Sequence, residues 1–252
     1  MSSLREQYER DGYAVVSGAI PSDVLAGLQE DFDRIVQQLV ASGEEINAKW
    51  ASADAISGAD SVVLHTHNVQ QFSARWMQFL LSPGFLDATR ELIGPDIVLH
   101  HTKLFQKPAE KGAAFPMHQD WGYFPTRDDS MMAGIVHLSD ATDAMGCLRV
   151  YPGSHKLGRI PPEESMTGAN FMERFPLDGA TALEAKAGDI VFFNYLTVHG
   201  SKPNTSDQVR KTVLVQMYSG ADLPDDNPHP NERLTLSGWN YAATRNTANR
   251  LK

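Results

Sequence analysis

The chain is predicted to be a mainly β protein, a sandwich or jelly roll with α-helices gathered in front of it. Three observations carry that expectation. From Asp96 onward the apolar residues fall into short extended runs separated by Gly, Pro and Asp turns. Before Asp96 they recur mostly at helical spacing. A length of 252 residues with 42% apolar content suits one domain of barrel or sandwich size. The expected division is a helical buttress over about 1–95, a β core over about 96–220 and a tail over about 221–252.

Residues 4–16 read as a short helix, an Asp11-Gly12 turn and a strand Tyr13–Val16. Ile20-Pro-Ser22 introduces a longer helix, with Ser22 as its expected N-cap. Val24, Leu25, Leu28, Phe32, Ile35, Val36 and Leu39 give that helix one apolar stripe, fit to pack on a sheet. Residues 43–62 are small and polar and read as a loop. His65-Thr-His67 reads as a loop or strand with ordinary histidines. Ser82-Pro83 opens a helix and Gly94-Pro95 closes it. The expected strands are Ile97–Gln106, Met131–Leu138, Cys147–Tyr151, Asp189–Val198 and Thr212–Ser219. The tail from Pro224, rich in Pro, Asn and Asp, is expected to lie across the barrel or be partly mobile.

A formal charge of −9 argues against nucleic acid or an anionic membrane as partner, since both select basic surfaces. It also argues against a large polyanion such as a CoA thioester. The single cysteine, Cys147, cannot form an intrachain disulfide and reads as a buried small hydrophobe. The first residues lack the apolar core of a signal peptide, and no run of 18 apolar residues exists. The expectation is a cytoplasmic protein acting on a small molecule, with its oligomeric state open.

The chemistry is concentrated in Phe115-Pro-Met-His-Gln-Asp-Trp-Gly-Tyr-Phe-Pro125. In an extended strand His118 and Asp120 point to one face and present an imidazole beside a carboxylate. His199, in Thr197-Val-His-Gly-Ser201, is the best third ligand. Two histidines and one carboxylate on one face of an ion leave three positions open, as non-haem Fe(II) oxygenases require. Arg210 follows His199 by 11 residues, and its fork-shaped guanidinium matches the carboxylate of a small acid.

These residues resemble the phytanoyl-CoA dioxygenase family of Fe(II)/2-oxoglutarate oxygenases. The resemblance rests on His118-Gln-Asp120 with Tyr123-Phe-Pro125, and on Gly146-Cys-Leu-Arg-Val-Tyr-Pro-Gly-Ser-His-Lys156. It continues through Gly188-Asp-Ile-Val-Phe-Phe193 and His199-Gly-Ser201 to Arg210, covering about residues 95–220 well. It implies a double-stranded β-helix of the cupin-like jelly-roll kind. It implies Fe(II) on His118, Asp120 and His199, with 2-oxoglutarate and O2 as cosubstrates and Arg210 holding the far carboxylate of 2-oxoglutarate. Related halogenases lack the carboxylate that Asp120 supplies, so hydroxylation or desaturation of an unactivated C–H bond is implied, with release of succinate and CO2. An isomerase or dioxygenase of cupin type without cosubstrate, or a binding barrel without turnover, are the alternatives.

Among neighbouring positions, Ser201 is expected to donate a hydrogen bond to the same carboxylate as Arg210. Lys103 and Ile135 align with cosubstrate-lining positions held in the family by Met and Trp, and a buried Lys103 would take its acidic partner from the cosubstrate. Gln119 aligns with a position near the cosubstrate. Met117, Trp121, Tyr123, Phe124 and Tyr195 are candidate substrate contacts by proximity, as is Asn68, which stands where the family carries a Lys. His100, His101 and His137 read as satisfied structural histidines.

Overall fold

The computed structural model describes residues 3–48, 53–161, 169–225 and 231–243. Two antiparallel sheets face each other, and helices cover the outer side of the larger one. Helix α1 (Leu4–Asp11) starts in a capping box between Ser3 and Glu6. Gly12, at φ 79°, ends it in the left-handed conformation that turns the chain into β1 (Tyr13–Val16). Helix α2 spans Ser22–Ser42, and Ser22 is its first helical residue rather than its cap. Pro21 holds the cap position and makes no side-chain hydrogen bond. Proline's fixed φ suits an entry into a helix, so the start needs no hydroxyl there.

The expected loop over residues 43–62 contains a four-residue helix, α3 (Asp54–Ser57). It leads into β2 (Leu64–His67). Helix α4 (Ala74–Leu80), to which the sequence reading assigns no element, starts where the Ser73 hydroxyl accepts from the Trp76 amide. Helix α5 (Pro83–Ile93) ends at Gly94, as expected. The remaining strands are β3 (Ile97–Lys107), β4 (Phe115–His118), β5 (Met132–His137), β6 (Leu148–Val150), β7 (Thr181–Leu183), β8 (Ile190–Asn194), β9 (His199–Ser201), β10 (Arg210–Ser219) and β11 (Leu234–Ser237).

The larger sheet runs β1-β8-β5-β10-β3-β11, and β2 pairs with the other stretch of β3's free edge. The smaller sheet runs β4-β9-β6-β7. The extended run expected over Asp189–Val198 is strand only over Ile190–Asn194, and residues 195–198 form the turn that follows. That strand, β8, joins the large sheet, and after the turn the chain enters the small sheet as β9, beginning at His199. Part of the tail becomes β11, an added edge strand on β3, while residues 226–230 and 244–252 lie outside the described residues.

Alternation divides the side chains between two layers. Val213, Val215, Ile190, Phe192 and Val136 turn outward and join Phe32, Ile35, Trp76 and Phe85 of the helices in the main core. The residues between them, including Arg210, Thr212, Leu214, Ile135, His137, Lys103 and Phe105, turn inward and line a cavity between the sheets. A mainly β jelly roll buttressed by helices is thus the architecture found.

Candidate active site

His118 ends β4, and Asp120 does not continue the strand but opens a 3-10 turn over Asp120–Gly122. Shared strand parity is therefore not what brings the two together. The amide of Asp120 donates to Tyr195 O at 2.9 Å, which folds the chain back beneath the β8–β9 connection. A register shift in β4, between Phe115 opposite Ser201 and His118 opposite His199, places both Phe115 and His118 on the cavity wall although they are three residues apart. Between His199 and Ser201, Gly200 lets β4 lie close. A Cβ there would stand 2.7 Å from Phe115 O and 2.8 Å from the Met117 sulfur.

The result is a buried triad. His118 Nε2 lies 3.3 Å and His199 Nε2 3.5 Å from Asp120 Oδ1. One ligand atom from each residue falls within 4.8 Å of the others. Each imidazole also has its Nδ1 fixed, that of His118 on Pro116 O at 2.8 Å and that of His199 on Thr197 O at 2.9 Å. A carbonyl can only accept, so both Nδ1 atoms carry the proton, and in a neutral ring Nε2 is left with its lone pair facing Asp120. Burial, with His118 as a second cause, brings the His199 pKa down to about 4, which keeps that ring neutral near pH 7. Two lone pairs and a carboxylate converging in a buried pocket repel one another unless a cation sits among them. The donor set therefore fits a metal ion.

At one end of the same cavity lie Arg210, Ser201, His137 and Thr212, with Lys107 beside them. Lys107 is fully buried and donates to Ser201 Oγ at 2.7 Å and to Lys202 O at 2.6 Å. Burial and the neighbouring Arg210 hold its pKa well below the ordinary lysine value. Burial also lowers Arg210 to about 10. Arg210 donates one bond to Gly146 O, and its Nε has no partner. Neither cation is within ion-pair distance of a carboxylate among the described residues. His137 was expected to be a satisfied structural histidine and is not one. Both its ring nitrogens are buried without a hydrogen bond, and burial, with Arg210 as second cause, lowers its pKa to about 3.

Of the other expected site residues, Lys103, Ile135, Ser201, Tyr123 and Phe124 line the cavity. Five do not, for definite reasons. Gln119 is a buried clamp whose amide donates to Leu196 O and Gly158 O and accepts from Ile160 N and Trp121 Nε1. Trp121 is held by that contact and by Ile160 O, with Arg159 over its ring. Met117 faces the opposite way, into a cluster with Ile160, Phe171, Phe175 and Val198. Tyr195 turns its hydroxyl onto Asp129. Asn68, at φ 59°, donates to Glu232 Oε1 at 2.7 Å, at the β2 end of the larger sheet. Sequence reading missed Lys107, Phe105, Thr212 and Leu214 as wall or near-wall residues, although strand parity with Lys103 and Arg210 marks all four.

The profile of phytanoyl-CoA dioxygenase (PhyH) matches residues 8–212. The chain belongs to the phytanoyl-CoA dioxygenase family. A probable phytanoyl-CoA dioxygenase of Caenorhabditis elegans is 28% identical over 235 residues, covering 87% of this chain and 75% of its own length. An ectoine dioxygenase of Bordetella parapertussis is 26% identical over 230 residues (83% and 72%). A probable alpha-ketoglutarate-dependent hypophosphite dioxygenase of Stutzerimonas stutzeri is 26% identical over 250 residues (93% and 85%). Among solved structures, the non-heme alpha ketoglutarate dependent carbocyclase SnoK from nogalamycin biosynthesis superposes with a TM-score of 0.71 at 21% identity, over 87% of this chain and 84% of that one. The epimerase SnoN in complex with Fe3+, alpha ketoglutarate and nogalamycin RO gives 0.70 at 24%, over 94% and 95%. These two share the fold. As a PhyH-family member the protein is an Fe(II)- and 2-oxoglutarate-dependent oxygenase, and its buried triad is of the kind such an enzyme needs.

Proposed function

We propose that the protein hydroxylates an unactivated C–H bond of a small organic metabolite, forming succinate and CO2 from 2-oxoglutarate and O2. The observation that carries this reading is the pair of buried cations, Lys107 and Arg210, without a carboxylate partner among the described residues, in the cavity that holds the triad. A buried guanidinium without an ionic partner, with a second basic group beside it, is costly, and a bound diacid offsets that cost.

His118, Asp120 and His199 would hold iron by the Nε2 and carboxylate atoms that already converge. Iron, when bound, supplies O2 activation coupled to oxidative decarboxylation of the cosubstrate, one oxygen atom passing to succinate and one to the substrate. The rest is positioning. Arg210 offers its guanidinium, and its unpartnered Nε, to the far carboxylate of 2-oxoglutarate. Because Ser201 Oγ accepts from Lys107, its own hydroxyl proton is free to donate to that carboxylate. His137 lies beside them with an unspent N–H. Phe105, Phe115, Ile135, Leu148, Phe193 and Leu214 make much of the remaining wall apolar, which helps exclude water from the reacting centre. Tyr123 and Phe124 border the cavity beside the triad and are assigned to the prime substrate.

The single buried thiol, Cys147, and a chain in which no helix of the described residues is long and apolar enough to cross a membrane support a cytoplasmic location. The test of the reaction is oxygen uptake and succinate formation by protein reconstituted with Fe(II) and 2-oxoglutarate. Succinate equal to the oxygen consumed supports the assignment, and oxygen uptake without succinate contradicts it.

A further inference from the structure

Lys103 has no role in the arrangement above, yet its ammonium group faces the same cavity. It lies on the inner face of β3, and its neighbours there on the sheet include His67, directly across the strand pair, and His101, two residues away. Its Nζ stands 5.0 Å from the centre of the Phe105 ring. It makes no hydrogen bond or ion pair with a described residue, and among the described residues the carboxylate that acts on it is Asp120. Along β3 it is four residues from Lys107, about 13 Å of extended chain. It is therefore well removed from the end where the far carboxylate of 2-oxoglutarate is placed.

The charges in the cavity can be counted in words. On the reading proposed above, on which this inference rests, the positive charges are a divalent iron, Arg210, Lys103 and whatever charge Lys107 retains. The negative charges are Asp120 and the two carboxylates of the cosubstrate. One cosubstrate carboxylate meets Arg210, and the other, with Asp120, balances the metal. That leaves Lys103 without a counter-charge on a half-buried stretch of the wall, where an unpaired cation is disfavoured.

We propose that Lys103 binds an anionic group of the prime substrate, so that the enzyme acts on a small organic acid whose reacting carbon lies between that anion and the triad. The shared chemistry is a carboxylate or a phosphonate. Phe105 stands beside Lys103, and Tyr123 and Phe124 line the same cavity, which suits an apolar body attached to one acidic head. A flexible ammonium also suits this task better than the bidentate fork of an arginine, because it can follow one oxygen as the body of the acid turns towards the metal.

The test uses the full chain loaded with Mn(II) and 2-oxoglutarate without oxygen. A panel of small carboxylic acids and phosphonic acids, each beside its methyl ester, is titrated calorimetrically into wild type and Lys103→Met. Members of at least one acid class are expected to bind wild type more tightly than their esters by about 10-fold or more, the loss of a charge-assisted hydrogen bond expressed as affinity. Which class does so identifies the anion. In Lys103→Met the acid preference disappears, while the Kd for 2-oxoglutarate stays within about twofold, which also shows that the site is intact. Three results overturn the proposal: acids and esters binding wild type alike, the preference surviving in Lys103→Met, or the variant losing affinity for 2-oxoglutarate, which assigns Lys103 to the cosubstrate. Failure of wild type to bind 2-oxoglutarate at all would count against the proposed reaction instead.

Discussion

Arg210 and Lys107 are two cations placed together beneath an apolar wall, and their consequences can be measured separately. Replacing Arg210 with Met removes the bidentate partner of the far carboxylate. The Kd for 2-oxoglutarate is then expected to rise by about 100-fold or more, since hydrogen bonds to charged groups contribute about 1.5–3 kcal/mol each. Mn(II) affinity should hardly change, because Arg210 does not belong to the triad. An equal loss of both in calorimetry would show that the guanidinium supports the fold rather than the ligand.

His137 gives a pH signature at the same scale. Its ordinary pKa is 6.5 and burial lowers it to about 3 in the folded chain. Between those values the unfolded chain takes up a proton that the folded chain refuses, so stability falls as pH falls through this window. For one such residue the loss from about pH 7 to about pH 5 is about 2 kcal/mol. His137→Leu should flatten the acid side of the stability curve of the metal-free protein, measured by urea titration at each pH. An unchanged slope would mean that His137 finds a partner in solution.

At the scale of elements, β4 and the turn after it decide whether the triad forms. Gly200→Ala would drive a Cβ into Phe115 O at 2.7 Å and force β4 away from β9, the strands that carry His118 and His199. A cost of about 1–3 kcal/mol in stability is expected, as for other overpacked sites. Mn(II) binding should weaken more than stability alone explains, and unaltered Mn(II) affinity would show that β4 has freedom to yield.

What could be read in the sequence follows the same division. His118, Asp120, His199 and Arg210 were legible because each sits in a local motif, and β3, β5 and β10 because their runs are long and apolar. The shape of β4 was not legible. The turn after it is held by contacts distant in sequence, the Asp120 amide on Tyr195 O and Gln119, whose four hydrogen bonds reach Gly158, Ile160, Trp121 and Leu196, residues up to 77 positions away. A polar residue between two ligands resembles a ligand neighbour until its distant partners are known. Lys107 was hidden for the opposite reason, since a lysine before a proline at a strand end ordinarily points to solvent. The end of β8 at Asn194 also depends on tertiary contact, because the apolar run continues to Val198 without a mark of the turn that leads to β9.

For the whole molecule, the net charge of −9 surrounds a cavity whose inner groups are basic. The overall charge disfavours anionic polymers, while on the proposed reading the cavity takes up small anions one at a time. Filling it should therefore stabilise the entire fold. At 2-oxoglutarate about 100 times above its Kd, with Mn(II) present, the linkage contributes about 2.7 kcal/mol, or a rise in Tm of roughly 5–10 °C for a chain of this size. Succinate, which keeps the far carboxylate but lacks the keto group, should give a smaller rise, and an equal rise would show that the metal end takes no part.

The claim on which these arguments converge is that one 2-oxoglutarate spans from the triad to Arg210. Calorimetric titration of 2-oxoglutarate into the wild-type protein, with and without Mn(II), tests it most directly. The expected result is one site per chain, with affinity raised by at least about tenfold by Mn(II). Binding that is indifferent to Mn(II) would contradict the account.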